Sequence, residues 1–186
     1  AAFGLALPAH ALNVALGKPV ELVGVFGTGS GYLGSGPPPA LPPASQITDG
    51  IAQSGYWTTG VWWDEHFTGV HNKVVVDLQG NYAVNGFGAM VDNNDMYLIE
   101  YRDLSGTWAP GWAVSPVAGS GLMWRSIDLP APVMASAVRI SAFAPAALGM
   151  DYAYSVSEIE VHAVPEPATT VMLAMGLAGM ALAFSR

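Results

Sequence analysis

The sequence predicts an all-β domain followed by a single C-terminal transmembrane helix, and three observations carry this prediction. Seven short runs rich in β-branched and aromatic residues are separated by Gly, Pro, Asn and Asp, which is typical of antiparallel sandwiches and jelly rolls. No helical period longer than a turn or two interrupts these runs. Residues 168–184 near the C-terminus carry no charge. The predicted strands are Val20–Phe26, Lys73–Leu78, Tyr82–Val91, Met96–Arg102, Trp124–Leu129, Ala137–Phe143 and Tyr154–Val161.

Composition limits the function classes. The 186 residues are 52% hydrophobic and only 11% charged, against about 25% charged in ordinary soluble domains, so we expect part of the chain to face a membrane or to be removed. A formal charge of -8 with six Lys and Arg disfavours nucleic acid as a partner. Without Cys, disulfides, thiolate nucleophiles and Cys-ligated zinc are excluded, and hard cations such as calcium become the favoured metals.

The N-terminus has the pattern of a secretory signal. Residues 1–7 are apolar and lead into Pro8-Ala9-His10-Ala11, an Ala-x-Ala cleavage pattern. We therefore predict that residues 1–11 are the remnant of a signal peptide cut after Ala11. The alternative is a loose N-terminal arm.

The C-terminus combines an extended segment with an apolar helix. Two prolines keep Val164-Pro165-Glu166-Pro167 extended and without ladder donors, a form that a processing enzyme can read. We predict a helix over residues 168–184, which would be about 25 Å long, near the short limit for a bilayer core of about 30 Å. Its apolar side chains lie all round the helix, as lipid exposure requires. A buried core helix is the alternative.

This order of Pro-Glu-Pro, short apolar helix and terminal Arg186 over residues 164–186 resembles the PEP-CTERM sorting signal of Gram-negative bacteria. The resemblance implies recognition by an exosortase and membrane attachment through the helix before processing. It also implies delivery to the cell surface or to an exopolysaccharide matrix. The family usually ends in a cluster of Arg, whereas Arg186 stands alone here.

Residues 12–163 form the predicted domain. They contain 5 basic and 13 acidic residues, so the whole charge of -8 belongs to this part. Residues 27–43 hold five Gly and five Pro and predict a mobile loop inserted after the first strand. The chain is therefore expected to be an acidic exported module with one long loop.

Four pieces of this domain form an ordered series, namely 13–20, Ile47-Thr48-Asp49-Gly50 followed by Trp57, 75–78 and 154–161. In that order they resemble the discoidin-like domain, also called the coagulation factor V/VIII type C domain, which includes the family 32 carbohydrate-binding modules. The resemblance implies an eight-stranded jelly-roll β-sandwich whose first and last strands lie close together. It also implies a binding role rather than catalysis.

The resemblance further implies a calcium ion that ties the loop after the first strand to the last strand. Calcium accepts six to eight oxygen ligands at about 2.3–2.6 Å, carbonyls included. The implied ligands are the side chains of Asp49 and Glu158, the carbonyls of Gln46, Ile51 and Ser157, and an oxygen of Ser54. The alternative is that Asp49 only makes an Asx turn with Gly50, while Glu158 lies on a solvated strand face.

Aromatic, acidic and imidazole side chains concentrate in residues 57–66. Apolar sugar faces stack on aromatic rings, and sugar hydroxyls need directional polar partners. Sugar-binding members of the family combine an aromatic platform with His, Arg and Asn from loops at one end of the sandwich. The ligand-binding candidates here are Trp62, Trp63, His66, Asn94 and Arg102. Trp57 is expected in the core, and core packing stays open as an alternative for the other two Trp.

No enzyme motif accompanies these candidates. The sequence lacks Cys, G-x-S-x-G and H-E-x-x-H. Asp64 and Glu65 are adjacent, so on an extended strand they point to opposite faces rather than forming a catalytic pair. We therefore predict a non-enzymatic module that binds carbohydrate, in the form of a glycan or the exopolysaccharide. A structural surface or matrix protein without a soluble ligand is the alternative, followed by a glycoside-active enzyme.

Overall fold

The computed structural model describes residues 12–28, 38–65, 71–119, 121–143 and 152–164. This part of the chain forms eight antiparallel strands and two short 3₁₀ helices. The strands are β1 Leu12–Asn13, β2 Val20–Val23, β3 Val61–Asp64, β4 Lys73–Asp92, β5 Tyr97–Arg102, β6 Trp108–Val114, β7 Leu122–Ala142 and β8 Ala153–Ala163. The 3₁₀ helices are Ala44–Thr48 and Trp57–Thr59.

Two long strands, β4 and β7, pass through both layers of a β-sandwich. The first half of β4 pairs with β2 on one side and with the second half of β7 on the other. The second half of β7 also pairs with β5, and β5 pairs with the edge strand β6. These strands form the β5 sheet. The second half of β4 pairs with the first half of β7 on one side and with β8 on the other. β8 also pairs with the short strands β1 and β3. These strands form the β8 sheet.

The predicted all-β sandwich is confirmed, and the structure joins strands that the sequence separates. Runs 73–78 and 82–91 are the two halves of β4, and runs 124–129 and 137–143 belong to β7, which ends one residue earlier than predicted, at Ala142. The register shifts between Asp77 and Tyr82, and Gln79 has a positive φ of 55°, so the strand turns a corner there without ending. The run 20–26 is shorter than predicted, since β2 ends at Val23.

Three strands escaped the sequence prediction for different reasons. β1 is only two residues long. β6 contains Pro110 and Gly111, which weaken a strand pattern and suit an edge strand. β3 is buried on both faces, so it shows no alternation of apolar and polar residues.

The main core fills the space between the two sheets and is rich in aromatic rings. Trp63 makes edge contacts with Phe26 and Tyr97, at centroid distances of 5.3 and 6.3 Å. The Tyr97 hydroxyl donates to the carbonyl oxygen of Ser155 (3.1 Å) and accepts from the Ser155 amide (3.0 Å). Because Tyr97 belongs to β5 and Ser155 to β8, this buried side chain ties the two sheets together.

The strand directions gather many loops at one end of the sandwich. β3 and β6 end there, β5 and β8 begin there, and both ends of β4 and of β7 lie there. We call this the loop end, and its described residues are 55–57, 65, 71–72, 93–96, 115–119, 143 and 152. The corners of β4 and β7 and the hairpin 103–107 lie at the opposite end.

Several predicted segments lie outside the described residues. They are the signal remnant 1–11, residues 29–37 of the Gly/Pro-rich loop, His66, and the tail from Pro165 onward with the predicted span 168–184. Neither of the described helices is long and apolar enough to cross a bilayer.

Candidate functional site

A β-bulge in β8 shapes the region of the predicted metal ligands. Val156 pairs with Val91 and Glu158 pairs with Met90, so Ser157 has no partner residue on β4. The extra residue redirects the strand toward the segment that follows the first 3₁₀ helix. There the Ser157 hydroxyl donates to the carbonyl oxygen of Gln53 at 3.0 Å.

Glu158 is the buried carboxyl group of this region. Its side chain is fully buried, so it does not lie on a solvated strand face. Oε1 accepts a hydrogen bond of 3.3 Å from the Gly50 amide, whereas Oε2 has no hydrogen-bond partner among the described residues. Desolvation, and then the negative charge of Asp49, raise the pKa of Glu158 to about 8. A proton or a bound cation would neutralise this buried carboxyl group beside a second carboxylate.

The remaining predicted ligands surround this pair. Gln46 is buried and donates from Nε2 to the carbonyl oxygen of Thr59 at 2.9 Å, and its own carbonyl accepts from the Asp49 amide at 3.4 Å. Ile51 and Ser54 are exposed in the same segment. Asp49 Oδ1 also accepts from the Ile51 amide at 2.8 Å, so the Asx turn exists beside the carboxylate pair.

These residues fit a calcium ion by the chemistry of their oxygens. No three His, Asp or Glu side chains converge anywhere in the described part of the chain, so carbonyls would have to complete the coordination of Asp49 and Glu158. Calcium accepts such mixed sets of carboxylates and carbonyls. An open depression of about 480 Å³ adjoins the region and is lined by Gln46, Asp49 and Gln53, among others.

The structure corrects the aromatic platform predicted from sequence. Trp62 and Trp63 are both 0% exposed, so neither ring can stack on a sugar. Trp63 lies in the main core, and Trp62 packs edge-on against Trp57 at a centroid distance of 5.4 Å, with Ala153 beside them. Trp57 is buried, as predicted. Trp62 and Trp63 cannot form a sugar-binding platform, because β3, which carries them, is covered on both faces.

The structure also separates the two other described candidates. Asn94 lies in the turn between β4 and β5 at the loop end, whereas Arg102 is the last residue of β5. The strand between them spans about 16 Å. Arg102 donates from Nε to the Ser136 hydroxyl at 3.0 Å, and its guanidinium lies 5.9 Å from the ring centroid of Trp108. Asn94 and Arg102 therefore cannot contact one small sugar together.

Exposed aromatic rings at the loop end were missed by sequence reasoning. Tyr56, Phe143 and Tyr152 are 60%, 57% and 38% exposed, and all three belong to the loop end. Tyr56 follows Gly55, and Tyr152 adopts a positive φ of 61°. An aromatic residue beside a turn residue was the signal available in the sequence.

Hydrogen bonds hold the loop end in place. The Leu122 amide donates to the carbonyl of Gly55 at 2.9 Å, and the Asn93 amide donates to that of Gly121 at 3.1 Å. Arg125 donates to the carbonyl oxygens of Ser115 (2.7 Å) and Val91 (3.2 Å). Burial lowers the pKa of Arg125. These bonds position the ring of Tyr56 and the amide of Asn94 on a fixed scaffold.

The acidic pair considered for catalysis has structural partners. Glu65 Oε1 accepts from the Trp63 indole at 3.2 Å and from the Asn72 amide at 3.1 Å. Burial raises the pKa of Glu65, and these hydrogen bonds oppose the rise. Asp64 is buried within β3. Glu65 therefore anchors the start of β4 to the end of β3.

Comparison with known proteins agrees with both sequence resemblances. Residues 163–186 match the PEP-CTERM protein-sorting motif, which confirms the sorting signal predicted for 164–186. No curated protein sequence matches the chain.

Solved structures share the fold of the domain. A variant of chitosan-binding module 1 from the chitosanase/glucanase of Paenibacillus sp. IK-5 has a TM-score of 0.54 at 22% identity, covering 82% of this chain and 98% of that chain. The family 32 module of Clostridium perfringens NanJ, solved with galactose, has 0.53 at 14%, with the same coverages. A fucose binding module of Streptococcus pneumoniae, SpX-3, has 0.55 at 16%, again with the same coverages. These likenesses confirm the predicted sandwich of family 32 carbohydrate-binding modules as the fold.

Proposed function

We propose that this chain is an exported, non-catalytic module that binds carbohydrate through its loop end. The observation that carries the proposal is that three exposed rings, Tyr56, Phe143 and Tyr152, lie at the same loop end as Asn94. Exposed aromatic rings supply stacking surfaces for the apolar faces of sugars. The half-buried amide of Asn94 offers two donors and an acceptor for hydroxyl groups. His66, which follows Glu65 in the chain, stays a predicted contributor to the same surface.

The sorting motif supports export and surface delivery. Leu12 pairs with Ala163, and the Val164 amide donates to the carbonyl of Ala83 at 2.8 Å, so the domain is held by hydrogen bonds up to the residue before Pro165-Glu166-Pro167. β8 begins at the loop end and finishes at the opposite end. A tail held in the membrane before exosortase processing would thus leave the loop end pointing away from the lipid, toward a cell-surface glycan or the exopolysaccharide matrix.

Calcium belongs to this proposal as a structural ion. Asp49 and Glu158 would bind it with their carboxylates, and carbonyls of Gln46, Ile51 and Ser157 would complete the set with an oxygen of Ser54. The buried Oε2 of Glu158, which has no hydrogen-bond partner in the described part of the chain, supports this assignment. The ion would fix the segment after the first 3₁₀ helix to β8. This segment leads directly to Gly55 and Tyr56, so the ion would also help to position them.

Glycan-array binding of the full chain tests the proposal. Tyr56→Ala should weaken binding to the recognised glycan by about tenfold, since aromatic contacts contribute about 0.5–1.5 kcal/mol beyond area burial and the ring also buries apolar surface. Trp108→Ala is the matched control, because Trp108 lies at the opposite end of the molecule beside Arg102 and Arg139. Equal losses in the two variants would contradict recognition at the loop end.

A structural surface or matrix protein without a soluble ligand is the second candidate. The full burial of Trp62 and Trp63 favours it, because it removes two of the five predicted ligand contacts. Absence of any glycan binding by the well-folded chain would support this candidate over the module.

A further inference from the structure

The end of the sandwich opposite the loop end carries exposed apolar side chains. β1 begins there, the hairpin 103–107 and the corner of β7 lie there, and the chain leaves the domain there after β8. Each of these four places contributes one exposed apolar residue, and together we call them the apolar tip. They are Leu12, Leu104, Met134 and Val164, which are 59%, 63%, 41% and 40% exposed. The apolar tip therefore lies at the same end as the start of the tail.

Backbone pairing and a side-chain contact hold the apolar tip together. Met134 pairs with Ala83 on β4, and the carbonyl oxygen of Ala83 accepts from the Val164 amide at 2.8 Å. The hairpin that carries Leu104 is joined to β7 at Ser136. The last residue of β5 donates from Nε to the Ser136 hydroxyl at 3.0 Å, and its carbonyl oxygen accepts from that hydroxyl at 3.3 Å. The positions of these apolar residues are thus fixed by neighbouring strands.

The hairpin presents Leu104 while its polar groups bond to one another. Oδ1 of Asp103 accepts from the amides of Ser105 and Thr107, at 2.8 and 2.9 Å, and from the Ser105 hydroxyl at 2.6 Å. The Asp103 amide donates to the carbonyl of Thr107 at 2.9 Å, and the Gly106 amide donates to that of Asp103 at 3.0 Å. Polar groups that are bonded internally can approach lipid at a low cost in free energy.

The charge at this end suits a neutral surface. Residues 79–81, 103–107 and 129–134 contain no Lys or Arg, and Asp103 is their only charged residue. Adhesion to anionic lipid depends on Lys and Arg near the surface, whereas apolar side chains enter the boundary between headgroups and acyl chains of any bilayer. Contact of the apolar tip with lipid would therefore be apolar and insensitive to salt.

The length of the connection to the predicted span brings this end close to a bilayer. Four Cα-to-Cα steps separate Val164 from Ala168, which is at most about 14 Å of chain. The headgroup layer of each leaflet takes up about 5–8 Å of that distance. A span of about 25 Å is also shorter than a hydrocarbon core of about 30 Å, and this mismatch draws the domain toward the lipid. Val164 would then stand less than about 10 Å above the headgroups.

We propose that the apolar tip rests on the lipid surface in which the tail is held, with Leu104 and Met134 in the interfacial layer. The occupant is a phospholipid bilayer. The inference rests on the membrane-held tail of the proposed function and adds an orientation to it, because the sandwich stands upright on the lipid. Since β8 runs from the loop end to the opposite end, the loop end would be held roughly 30 Å from the bilayer.

Fluorescence quenching by lipid tests the proposal, because the chain contains no Cys and one label can be attached at a chosen position. Ala131→Cys places the label on the exposed corner of β7, and Val117→Cys places it at the loop end. The full chain is held in phosphatidylcholine vesicles that contain doxyl-labelled phosphatidylcholine. We expect quenching of the label at position 131 and not at position 117, at low and at high salt alike. Equal quenching at the two positions, or quenching at neither, would overturn the proposal.

A longer tether separates attraction to lipid from enforced proximity. With about ten Gly and Ser residues inserted between Val164 and Pro165, the domain can move away from the bilayer, yet quenching at position 131 should persist. In this chain Leu104→Ser and Met134→Ser should each weaken the lipid contact about fivefold. Met123→Ser is the matched control, since Met123 is 43% exposed at the other end of β7, and it should have no effect.

Three results with the longer tether would refute the apolar tip as a lipid contact. They are loss of quenching on insertion, an equal effect of Met123→Ser, and a signal that follows protein density rather than the quencher lipid, which would indicate contact between copies of the chain. Flotation with the vesicles checks the tail separately. A chain that does not float contradicts the membrane attachment of the proposed function and this inference together, whereas a chain that floats without quenching contradicts this inference alone.

Discussion

Glu158→Gln should remove most of the pH response of stability and, with it, the response to calcium. The ordinary pKa of 4.5 is raised to about 8 in the folded chain by burial and by Asp49. Below pH 4.5 the group is protonated in both states and its contribution to stability is complete. As the pH rises from 4.5 toward 8, the unfolded chain loses the proton and the folded chain keeps it, so the free energy of unfolding falls.

The size of the effect follows from the same values. Each pKa unit is worth about 1.36 kcal/mol, so at pH 7 the metal-free protein should have lost about 3 kcal/mol relative to pH 4.5. For a domain of this size, each kcal/mol shifts the Tm by about 2–4 °C, which gives a decrease of about 6–12 °C. Calcium favours ionised Glu158, and at a hundredfold excess over its Kd it would restore about 2.7 kcal/mol at pH 7.

Thermal unfolding at pH 5 and pH 7, in chelator and in calcium, measures both responses. Glu158→Gln should lose most of the Tm difference between the two pH values, with the smaller contribution of buried Glu65 remaining, and it should not respond to calcium. Glu21→Gln, an exposed carboxylate on β2 in the β5 sheet, is the control and should behave like the unchanged chain. If the Tm of the unchanged chain in chelator is the same at pH 5 and pH 7, the raised pKa of Glu158 is refuted. If calcium still stabilises Glu158→Gln, the role of Glu158 as a calcium ligand is refuted.

Two further substitutions test the core. Tyr97→Phe removes the hydroxyl that bonds both backbone groups of Ser155, so urea unfolding should show a loss of about 2–3 kcal/mol; Tyr101→Phe, on the same strand, should cost clearly less, and equal losses would contradict the link between the sheets. Trp63→Phe should lower the free energy of unfolding by about 1–3 kcal/mol, less than full removal of the ring would. The glycan affinity per folded molecule should stay unchanged. A loss of glycan affinity without a loss of stability would show that Trp63 contacts the ligand.

The local sequence pattern was sufficient to predict most strands, because strands with one buried face alternate apolar and polar residues. It failed at the corners, where Gly80, Pro130 and Pro132 look like strand ends although β4 and β7 continue through them. Breaker residues bend a strand as readily as they end it, and pairing between distant strands decides which occurs.

The site was harder to predict because its geometry depends on distant contacts. Two adjacent Trp residues indicate a sugar platform equally well whether a strand or a loop carries them, and only the packing of β3 shows that they are buried. The bulge at Ser157 that turns Glu158 inward leaves no mark in the local sequence.

Perturbation of amide signals by the recognised glycan, measured by NMR on the full chain in calcium, tests the central claim most directly. Carbohydrate recognition at the loop end predicts shifts that cluster at Tyr56, Asn94 and Tyr152 and are lost in Tyr56→Ala. Shifts confined to other surfaces, or no shifts with any glycan tested, would contradict it.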